Sequence, residues 1–294
     1  MRNVAILSDL HDWHSNQIAY HLKKKKINPV VITFEELIFS LQKKKVFFHN
    51  NKYFNSLEGV WVRFFNSGSL EEITTKLTIL HLLKKSKIYI HNTASVIEKT
   101  VDKVRTSGIL KLNNIESPKT FVCFAKNKNK IKLKKKKYLI KPIFGSQGKN
   151  IFLFRDIDEL KKKNTGDVFY IQDFIESNSN EFCDLRVLVS NHKVVSTLER
   201  YSNHYLTNVY QGAKYRKIPI DKKIISLSVK ISKIFDLGYG GIDLKIFKKK
   251  IYVLEINSIP SWKAMQKIER MDISEILVKD FLEKLKKWIL ILKT

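Results

Sequence analysis

The chain has only two cysteines, Cys123 and Cys183, among its 294 residues. They are far apart and lack metal-ligand spacing, which excludes a disulfide framework and favours a reducing compartment. No run approaches the roughly 18 apolar residues that a membrane-spanning helix needs. The first segment reaches Asp9 too early for a secretory signal. We therefore expect a cytoplasmic protein without a membrane partner.

Acidic residues are scarce, with 28 Asp and Glu against 55 Lys and Arg, which gives a formal net charge of +27. Such a balance raises nucleic acid as a possible partner. However, only eight of the basic residues are arginine, and the lysines lie in runs between apolar segments, where turns and helix ends are expected. No helix-turn-helix, zinc-finger or RNA-binding signature is present. A compositional lysine excess that attracts anionic substrates is favoured over nucleic-acid binding.

Hydrophobic residues make up 44% of the chain, which indicates a globular protein, and the length suggests about two folding units. From residue 3 to 93, short apolar runs alternate with three amphipathic stretches that predict helices. Two of these begin with capping boxes, Thr33 with Glu36 and Ser69 with Glu72. The alternation predicts a small parallel α/β domain without a dinucleotide fingerprint.

The rest of the chain predicts an α+β arrangement. Its pattern indicates a helix over 102–112, strands from 119 to 198, a helix over 222–235, two further strands and an amphipathic helix from 273. The lysine-rich stretch 126–137 is the longest candidate linker.

The segment Gly240–Pro260 predicts a β-hairpin with a lysine turn centred on Lys249. One side then carries only apolar pairs: Ile242 with Ile256, Leu244 with Leu254 and Ile246 with Tyr252. On the other side Asp243 faces Glu255, with Asn257 two residues further along. Opposed like charges are destabilising unless neutralised. A divalent cation would do so, although solvent or nearby lysines could serve instead.

Three further segments carry candidate binding groups. Lys141 ends an apolar strand before a loop with Gly145 and Gly148, which suits phosphate oxygens but is also typical of an ordinary turn. Arg200 offers a planar fork for a carboxyl or acyl phosphate, and Asn208 offers an amide. Gln172, Asp173 and Ile175, at the end of another apolar strand, are further candidates. His11 and His14 are more typical of surface or structural positions than of a metal site.

Taken in order, these segments resemble ATP-grasp ligases of the RimK-like glutamate-ligase group, from about Val101 to Lys267. The matching motifs are VDKVRTSGILKLNNIESPKT, KPIFGSQGKN, IQDFIE, CDLRVLV, LERYSNHYLTNVYQGA, GGIDLKI and LEINSIPSW. The resemblance implies an ATP-grasp fold with a small lobe over 96–170 and a large lobe over 171–294. A pre-ATP-grasp α/β domain over 1–95 would precede them.

The resemblance also implies roles for individual residues. Phosphate contacts would come from Lys103, Lys141, Gly145, Ser146, Gln147 and Gly148. The base and ribose would meet Gln172, Asp173, Phe174, Ile175, Asp184 and Arg186. Mg²⁺ or Mn²⁺ would bind Asp243, Glu255 and Asn257, while Lys141, Arg200 and Asn208 would act in catalysis. Leu206 stands where many members have Arg, so the acceptor contacts of the ribosomal-protein-modifying branch are not implied.

The implied activity is an ATP- and metal-dependent carboxylate–amine ligase that works through an acyl phosphate. It would add glutamate or a similar amino acid to a small-molecule carboxylate, and the enzyme could form a homo-oligomer. The segments DWHSNQ, VRFFNSGSLEEI and NSIPSWKAMQ resemble relatives associated with tetrahydromethanopterin biosynthesis. Two alternatives remain: a ligase that adds glutamates to a protein tail, and a basic nucleic-acid-binding protein on the same scaffold.

Overall fold

A computed structural model describes residues 2–42, 45–49, 56–64, 66–134, 136–145, 148–155, 159, 167–178 and 180–293. The first part of the chain contains β1 (Arg2–Ser8), α1 (Trp13–Lys24), β2 (Ile27–Ile32), β3 (Ile38–Gln42), β4 (Lys45–His49), β5 (Leu57–Phe64), α2 (Leu70–Lys85) and β6 (Tyr89–His91). Strands β2, β1, β5 and β6 form a parallel sheet in that order. The predicted parallel α/β unit is therefore confirmed.

Side-chain caps fix where the first helices begin. The carboxylate of Asp12 accepts from the amide of Ser15 at the start of α1. The capping box predicted for Ser69 and Glu72 begins α2, with both reciprocal bonds present. Such caps satisfy amide groups that have no partner within the helix.

The prediction of a helix after β2 is wrong. Thr33 and Glu36 do exchange the bonds of a capping box, but they enclose only a short turn. The chain then continues as β3 and β4, which pair as an antiparallel hairpin. A short apolar run fits either structure, so periodicity alone did not decide between them.

The remaining elements form two antiparallel sheets with helices around them. They are α3 (Ala94–Val101), α4 (Lys103–Leu112), β7 (Thr120–Phe124), β8 (Tyr138–Lys141), β9 (Phe152–Phe154), β10 (Val168–Asp173), β11 (Phe182–Ser190), β12 (Lys193–Ser202), β13 (Lys214–Arg216), α5 (Lys222–Phe235), β14 (Tyr239–Phe247), β15 (Lys250–Asn257), α6 (Lys263–Ile268) and α7 (Ile273–Ile291). The sheet orders are β7-β10-β8-β9 and β13-β12-β11-β14-β15.

The predicted α4, α5 and α7 are confirmed, whereas α3 and α6 were not predicted. The expected boundary between the two lobes, at residues 170 and 171, falls inside β10. Because β10 pairs with both β7 and β8, it belongs with the smaller sheet.

Helix α7 packs on the N-terminal unit, far from it in sequence. Leu277 and Phe281 share one buried cluster with Ile6, Ile18 and Trp61 from β1, α1 and β5. The same cluster includes residues of β11, β12 and β14, so this packing holds the parallel sheet against the five-stranded antiparallel sheet. Among the described residues, no helix is both long enough and apolar enough to cross a membrane.

Candidate active site

Residues of both antiparallel sheets line two adjoining cavities. One, the charged cavity, has as its charged lining residues Lys103, Lys141, Lys149, Asp184, Arg200, Asp243 and Glu255. The other, the apolar cavity, has as its apolar lining residues Pro118, Leu139, Phe174, Ile175, Phe182 and Leu254. Lys141, Asp184 and Leu254 line both cavities, so the two form one cleft.

The hairpin of β14 and β15 brings Asp243 opposite Glu255, as predicted, and Ile242 opposite Ile256. The predicted turn centre is wrong, because Lys248 and Lys249 together form a two-residue turn with φ of 47° and 64°. A bulge at Leu254 then restores the register.

This bulge changes the apolar pairs nearer the turn. Leu244 faces Val253 rather than Leu254, and Ile246 faces Ile251 rather than Tyr252. As the extra residue of the bulge, Leu254 leaves the apolar pairing and lines the cleft instead.

Arginines neutralise the buried acid of this hairpin. Arg186 binds Asp243 through Nε and Nη2, each at 2.7 Å, and Arg200 Nη2 lies 3.0 Å from Asp243 Oδ2. Burial raises the pKa of Asp243, but Arg186 and Arg200 outweigh burial and lower it to about 2. The cation that the opposed acids were expected to require is thus partly replaced by two guanidinium groups.

Arg200 is itself held by a second carboxylate. Its Nε and Nη2 each donate to Asp184 at 2.6 Å, and Thr207 Oγ1 donates to the same carboxylate at 2.7 Å. Burial lowers the pKa of Arg200, but Asp184 and Asp243 raise it well above the ordinary value. The predicted fork therefore grips carboxylates of the protein, and the guanidinium forms part of the cavity wall.

Lys141 lies where the two cavities meet. Its ammonium donates to Gln172 Oε1 at 2.7 Å. Burial lowers the pKa of Lys141 to about 8, with Glu255 opposing the shift and Lys103 adding to it. A lysine whose charge is poorly solvated gains most from an anionic ligand, because the ligand supplies the missing counter-charge.

Lys103 ties the start of α4 to the glycine loop. Its Nζ donates to the carbonyl oxygen of Gly145 at 3.0 Å and lies 3.7 Å from Glu255 Oε1. The loop residues Ser146 and Gln147, also predicted to contact phosphate, lie outside the described residues.

Gly148 and Asn208 touch across the mouth of the charged cavity. Gly148 has φ of +73°, and a Cβ atom there would lie 2.7 Å from Asn208 Oδ1. Asn208 precedes the 3₁₀ turn Val209–Gln211. Two segments far apart in sequence are thus brought together at one edge of the cleft.

The end of β10 forms one wall of the apolar cavity. Gln172 is buried and connects Lys141 to the hydroxyl groups of Thr120 and Tyr170. The amide groups of Asp173 and Phe174 donate to the carbonyl oxygens of Lys119 and Lys137. These two amides are therefore already used within the protein.

The candidate metal ligands are two carboxylates and one amide. Asp243 and Glu255 line the charged cavity, and Asn257 pairs with Gly241 next to them. The described residues contain no group of three or more His, Cys, Asp and Glu that could hold a metal. Within the same residues, the buried Nδ2 of Asn257 has no hydrogen-bond partner. Two carboxylates with an amide oxygen fit Mg²⁺ when phosphate oxygens complete its shell.

Sequence reasoning missed Lys245, Thr207 and Tyr205 as lining residues. Lys245 Nζ donates to Ser177 Oγ and to the carbonyl oxygen of Cys183, both at 2.6 Å. Strand alternation could have found it, since residue 245 shares a face with Asp243.

The chain is similar to known ligases in sequence. A protein named tetrahydromethanopterin:alpha-L-glutamate ligase, from Methanococcus maripaludis, is 28% identical over 97% of this chain and 99% of its own length. An alpha-aminoadipate–LysW ligase from Saccharolobus solfataricus is 29% identical over 64% of this chain and 70% of its own length.

Solved structures share the fold at low sequence identity. The ATP-grasp ligase PsnB complexed with its minimal precursor has a TM-score of 0.74 and 16% identity, and the match covers 96% of this chain and 99% of that one. D-alanine–D-alanine ligase from Bacillus anthracis, complexed with ATP, has a TM-score of 0.67 and 14% identity, with 98% of each chain covered. The expected ATP-grasp fold is confirmed.

The family model of the RimK-like ATP-grasp domain matches residues 100–281. This range includes the charged cavity, the apolar cavity and the hairpin of β14 and β15. The expected assignment to the ATP-dependent carboxylate–amine ligases is thereby confirmed, and the chain belongs to the RimK-like ATP-grasp family.

Proposed function

We propose that this enzyme joins the amino group of glutamate to a carboxylate of a small pterin-type acid, through an acyl phosphate formed from ATP. The observation that carries the proposal is the match to the tetrahydromethanopterin ligase, which extends over 97% of this chain, including the N-terminal unit. A LysW ligase from Sulfurisphaera tokodaii also matches over 97% of this chain, but at 25% identity against 28% for the tetrahydromethanopterin ligase. The charged cavity supplies the groups that the chemistry needs.

ATP would bind across both cavities. The adenine base would lie in the apolar cavity, where Phe174 packs against Phe182 with ring centroids 6.1 Å apart. Because the amides of Asp173 and Phe174 are used within the protein, the base would bind the amide of Ile175 and nearby carbonyl groups. The triphosphate then extends past Lys141 into the charged cavity.

Three cationic groups surround the terminal phosphates in this arrangement. Lys141 and Lys103 provide ammonium groups, and Arg200 provides a fixed positive wall. Carboxylate attack on the terminal phosphorus breaks its bond to the β-phosphate oxygen and moves negative charge onto the leaving ADP. Groups that are already held in place stabilise that charge without reorganisation. The amine then attacks the acyl carbon and phosphate leaves.

Asp243, Glu255 and Asn257 would hold Mg²⁺ against these phosphates. The bound ion would withdraw electron density from the phosphate oxygens and help to orient them. Arg186 and Arg200 keep Asp243 ionised, so it is ready to act as a ligand. Asn257 adds an amide oxygen. Its amide nitrogen, Nδ2, has no hydrogen-bond partner among the described residues.

The test is a coupled assay of ADP release with ATP, Mg²⁺, L-glutamate and tetrahydromethanopterin. We expect release that needs all four components, and a hydroxamate when hydroxylamine replaces glutamate. A matched reaction with LysW-type or ribosomal-protein tail peptides should give no release. AMP formation, or a faster reaction with a peptide acceptor, would contradict the proposal.

A further inference from the structure

Three sequence segments meet where the parallel sheet contacts the large antiparallel sheet. Asp12 Oδ2 lies 2.7 Å from His14 Nδ1 and accepts from Arg63 Nη2 at 2.8 Å. On the other side of the imidazole, Ser261 Oγ lies 3.0 Å from His14 Nε2, and the amide of Trp262 donates to it at 3.2 Å. We call Asp12, His14 and Ser261 the junction triad.

The hydrogen bonds determine the proton positions on His14. The amide of Trp262 can only donate, so Nε2 must accept and carries no proton. Nδ1 then carries the proton and donates to Asp12. Ser261 can likewise donate its hydroxyl proton to Nε2. The imidazole is therefore a neutral base aimed at a serine hydroxyl.

Burial and charge agree with this assignment. His14 is 6% exposed, whereas Ser261 is exposed, so the hydroxyl connects the buried ring with the surface. Burial lowers the pKa of His14, and Arg63 lowers it further, while Asp12 opposes the shift. Burial raises the pKa of Asp12, but His14 and Arg63 outweigh it and keep that carboxylate ionised.

The triad lies where ligands bind in this kind of sheet. Asp12 follows β1, and Arg63 lies near the end of β5. These two strands are neighbours at the point where the strand order of the sheet reverses. Crevices at the carboxyl ends of such strands are common ligand sites.

The segment that carries Ser261 begins at the candidate metal ligand Asn257. It continues from Asn257 at the end of β15, and a Cβ built on Gly241 would lie 3.1 Å from Pro260 and 3.9 Å from Arg186 Nε. Arg186 in turn binds Asp243. Ser261 thus lies four residues beyond Asn257, on a segment whose Pro260 packs beside Gly241.

Amide formation requires a proton acceptor. An amino acid carries an ammonium group at neutral pH, and its nitrogen must lose protons to attack an acyl carbon. The carboxylates among the charged residues of the cavity lie close to cations: Asp184 and Asp243 with Arg200, and Glu255 with Lys103. Lys141 is needed in its charged form. The junction triad offers a neutral base with a free approach through Ser261.

We propose that the junction triad accepts the proton that the ammonium group of glutamate must lose before it attacks the acyl phosphate, an inference that rests on the proposed ligase function. The ammonium nitrogen gives a proton to Ser261 Oγ, and Ser261 gives its own proton to His14 Nε2, which leaves a free amine. The amine then attacks the acyl carbon, and phosphate leaves with the electrons of the C–O bond and takes up the proton that the new amide nitrogen loses. The imidazolium, stabilised by Asp12, then releases the proton to solvent through Ser261. Arg63 is a positioning residue that holds Asp12.

The test compares two nucleophiles in the full-length enzyme with ATP, Mg²⁺ and tetrahydromethanopterin. Glutamate needs a base, whereas hydroxylamine is already uncharged at neutral pH. For His14→Gln and Ser261→Ala, we expect the rate at saturating glutamate to fall about 100-fold, as for loss of a general base. Hydroxamate formation should stay within about threefold of wild type, because the acyl phosphate still forms without a general base.

Each other outcome overturns the inference. Equal losses with both nucleophiles would mean that the triad is structural, and a raised KM for glutamate with unchanged kcat would mean that it only binds. An unchanged glutamate rate in Ser261→Ala would exclude the relay. Because Ser261 is exposed, this variant should fold, and it provides the test if His14→Gln does not fold. His21→Gln is the matched control, a buried histidine two turns along α1 that should leave both rates unchanged. If the wild-type enzyme fails to release ADP both with glutamate and with hydroxylamine, the proposed function itself is wrong.

Discussion

A Cβ atom on Gly148 would lie 2.7 Å from the side-chain oxygen of Asn208. The backbone of Gly148 also has φ of +73°, which L side chains rarely adopt. Space and conformation therefore both require glycine at the contact between the glycine loop and the 3₁₀ turn.

Gly148→Ala should reduce turnover, because the loop must move away from Asn208 and the phosphates lose its amide groups. We expect a loss of about tenfold or more in kcat/KM for ATP, as for loss of oriented backbone donors. Steady-state ADP release measures it. Gly108→Ala is the matched control, since a Cβ there meets nothing within 4 Å inside α4. That change should keep activity and stabilise the helix by about 0.5–1 kcal/mol. Equal activity of both variants would contradict the phosphate-loop assignment.

Lys141→Met should lower the rate at saturating ATP by about 100-fold while the fold stays intact, because a charge-stabilising donor is lost. Lys193→Met removes an exposed lysine at the start of β12 and should leave the rate unchanged. Circular dichroism and melting temperature check the fold of both. A Lys141→Met enzyme with the wild-type rate would remove Lys141 from the site.

The pH profile gives an independent test of the same lysine. Its pKa is lowered to about 8, so the ammonium is present below that pH and is lost above it. We expect kcat/KM for ATP, which reports the free enzyme, to fall as pH rises through about 8. In Lys141→Arg the cation does not titrate in this range, and this alkaline fall should disappear. The assignment is wrong if the fall persists unchanged in that variant.

Glu255→Gln should remove most of the Mg²⁺ dependence of ADP binding, because an amide is a weaker ligand than a carboxylate. Calorimetry with and without Mg²⁺ measures the difference, which we expect to shrink about tenfold or more. Glu58→Gln changes a similarly exposed carboxylate on β5 and should preserve the full difference. Metal-dependent binding that is unaffected in Glu255→Gln would refute the ligand set.

Asp184→Asn should destabilise the protein, because Arg200 then keeps its buried charge with one carboxylate fewer. We expect the free energy of unfolding to fall by about 3 kcal/mol, as for other broken buried ion pairs. Urea denaturation measures it. Glu199→Gln, which removes the partner of the solvent-exposed Arg216, should leave the denaturation midpoint nearly unchanged. Similar midpoints for the two variants would show that the buried network adds little.

Much of the hairpin could be predicted because its alternation is regular. The alternation and a turn centred on Lys249 predict Asp243 opposite Glu255, and the structure confirms this pair because the bulge at Leu254 offsets the displaced turn. The bulge at Leu254 could not be predicted, since it depends on the preference for a two-residue turn at Lys248 and Lys249. The bond between Arg186 and Asp243 could not be predicted either, because it depends on the pairing of β14 with β11 across the sheet. Such long-range pairing leaves no local trace.

The prediction of a helix after β2 was wrong for a different reason. The capping-box bonds of Thr33 and Glu36 form as predicted, so the local chemistry was read correctly. They close a turn that precedes a hairpin instead of a helix. His14 was assigned to a surface or structural position, and its contact with Ser261 joins segments far apart in sequence. Neither outcome is visible in a single stretch of residues.

The packing of α7 on the first strands has a consequence for synthesis on the ribosome. Ile6, Ile18 and Trp61 emerge early, but the side chains that cover them, Leu277 and Phe281, emerge near the opposite end of the sequence. During translation the growing chain therefore presents an uncovered apolar surface for most of its length, which makes it a target for chaperones. A fragment ending at residue 95 would keep that surface open permanently.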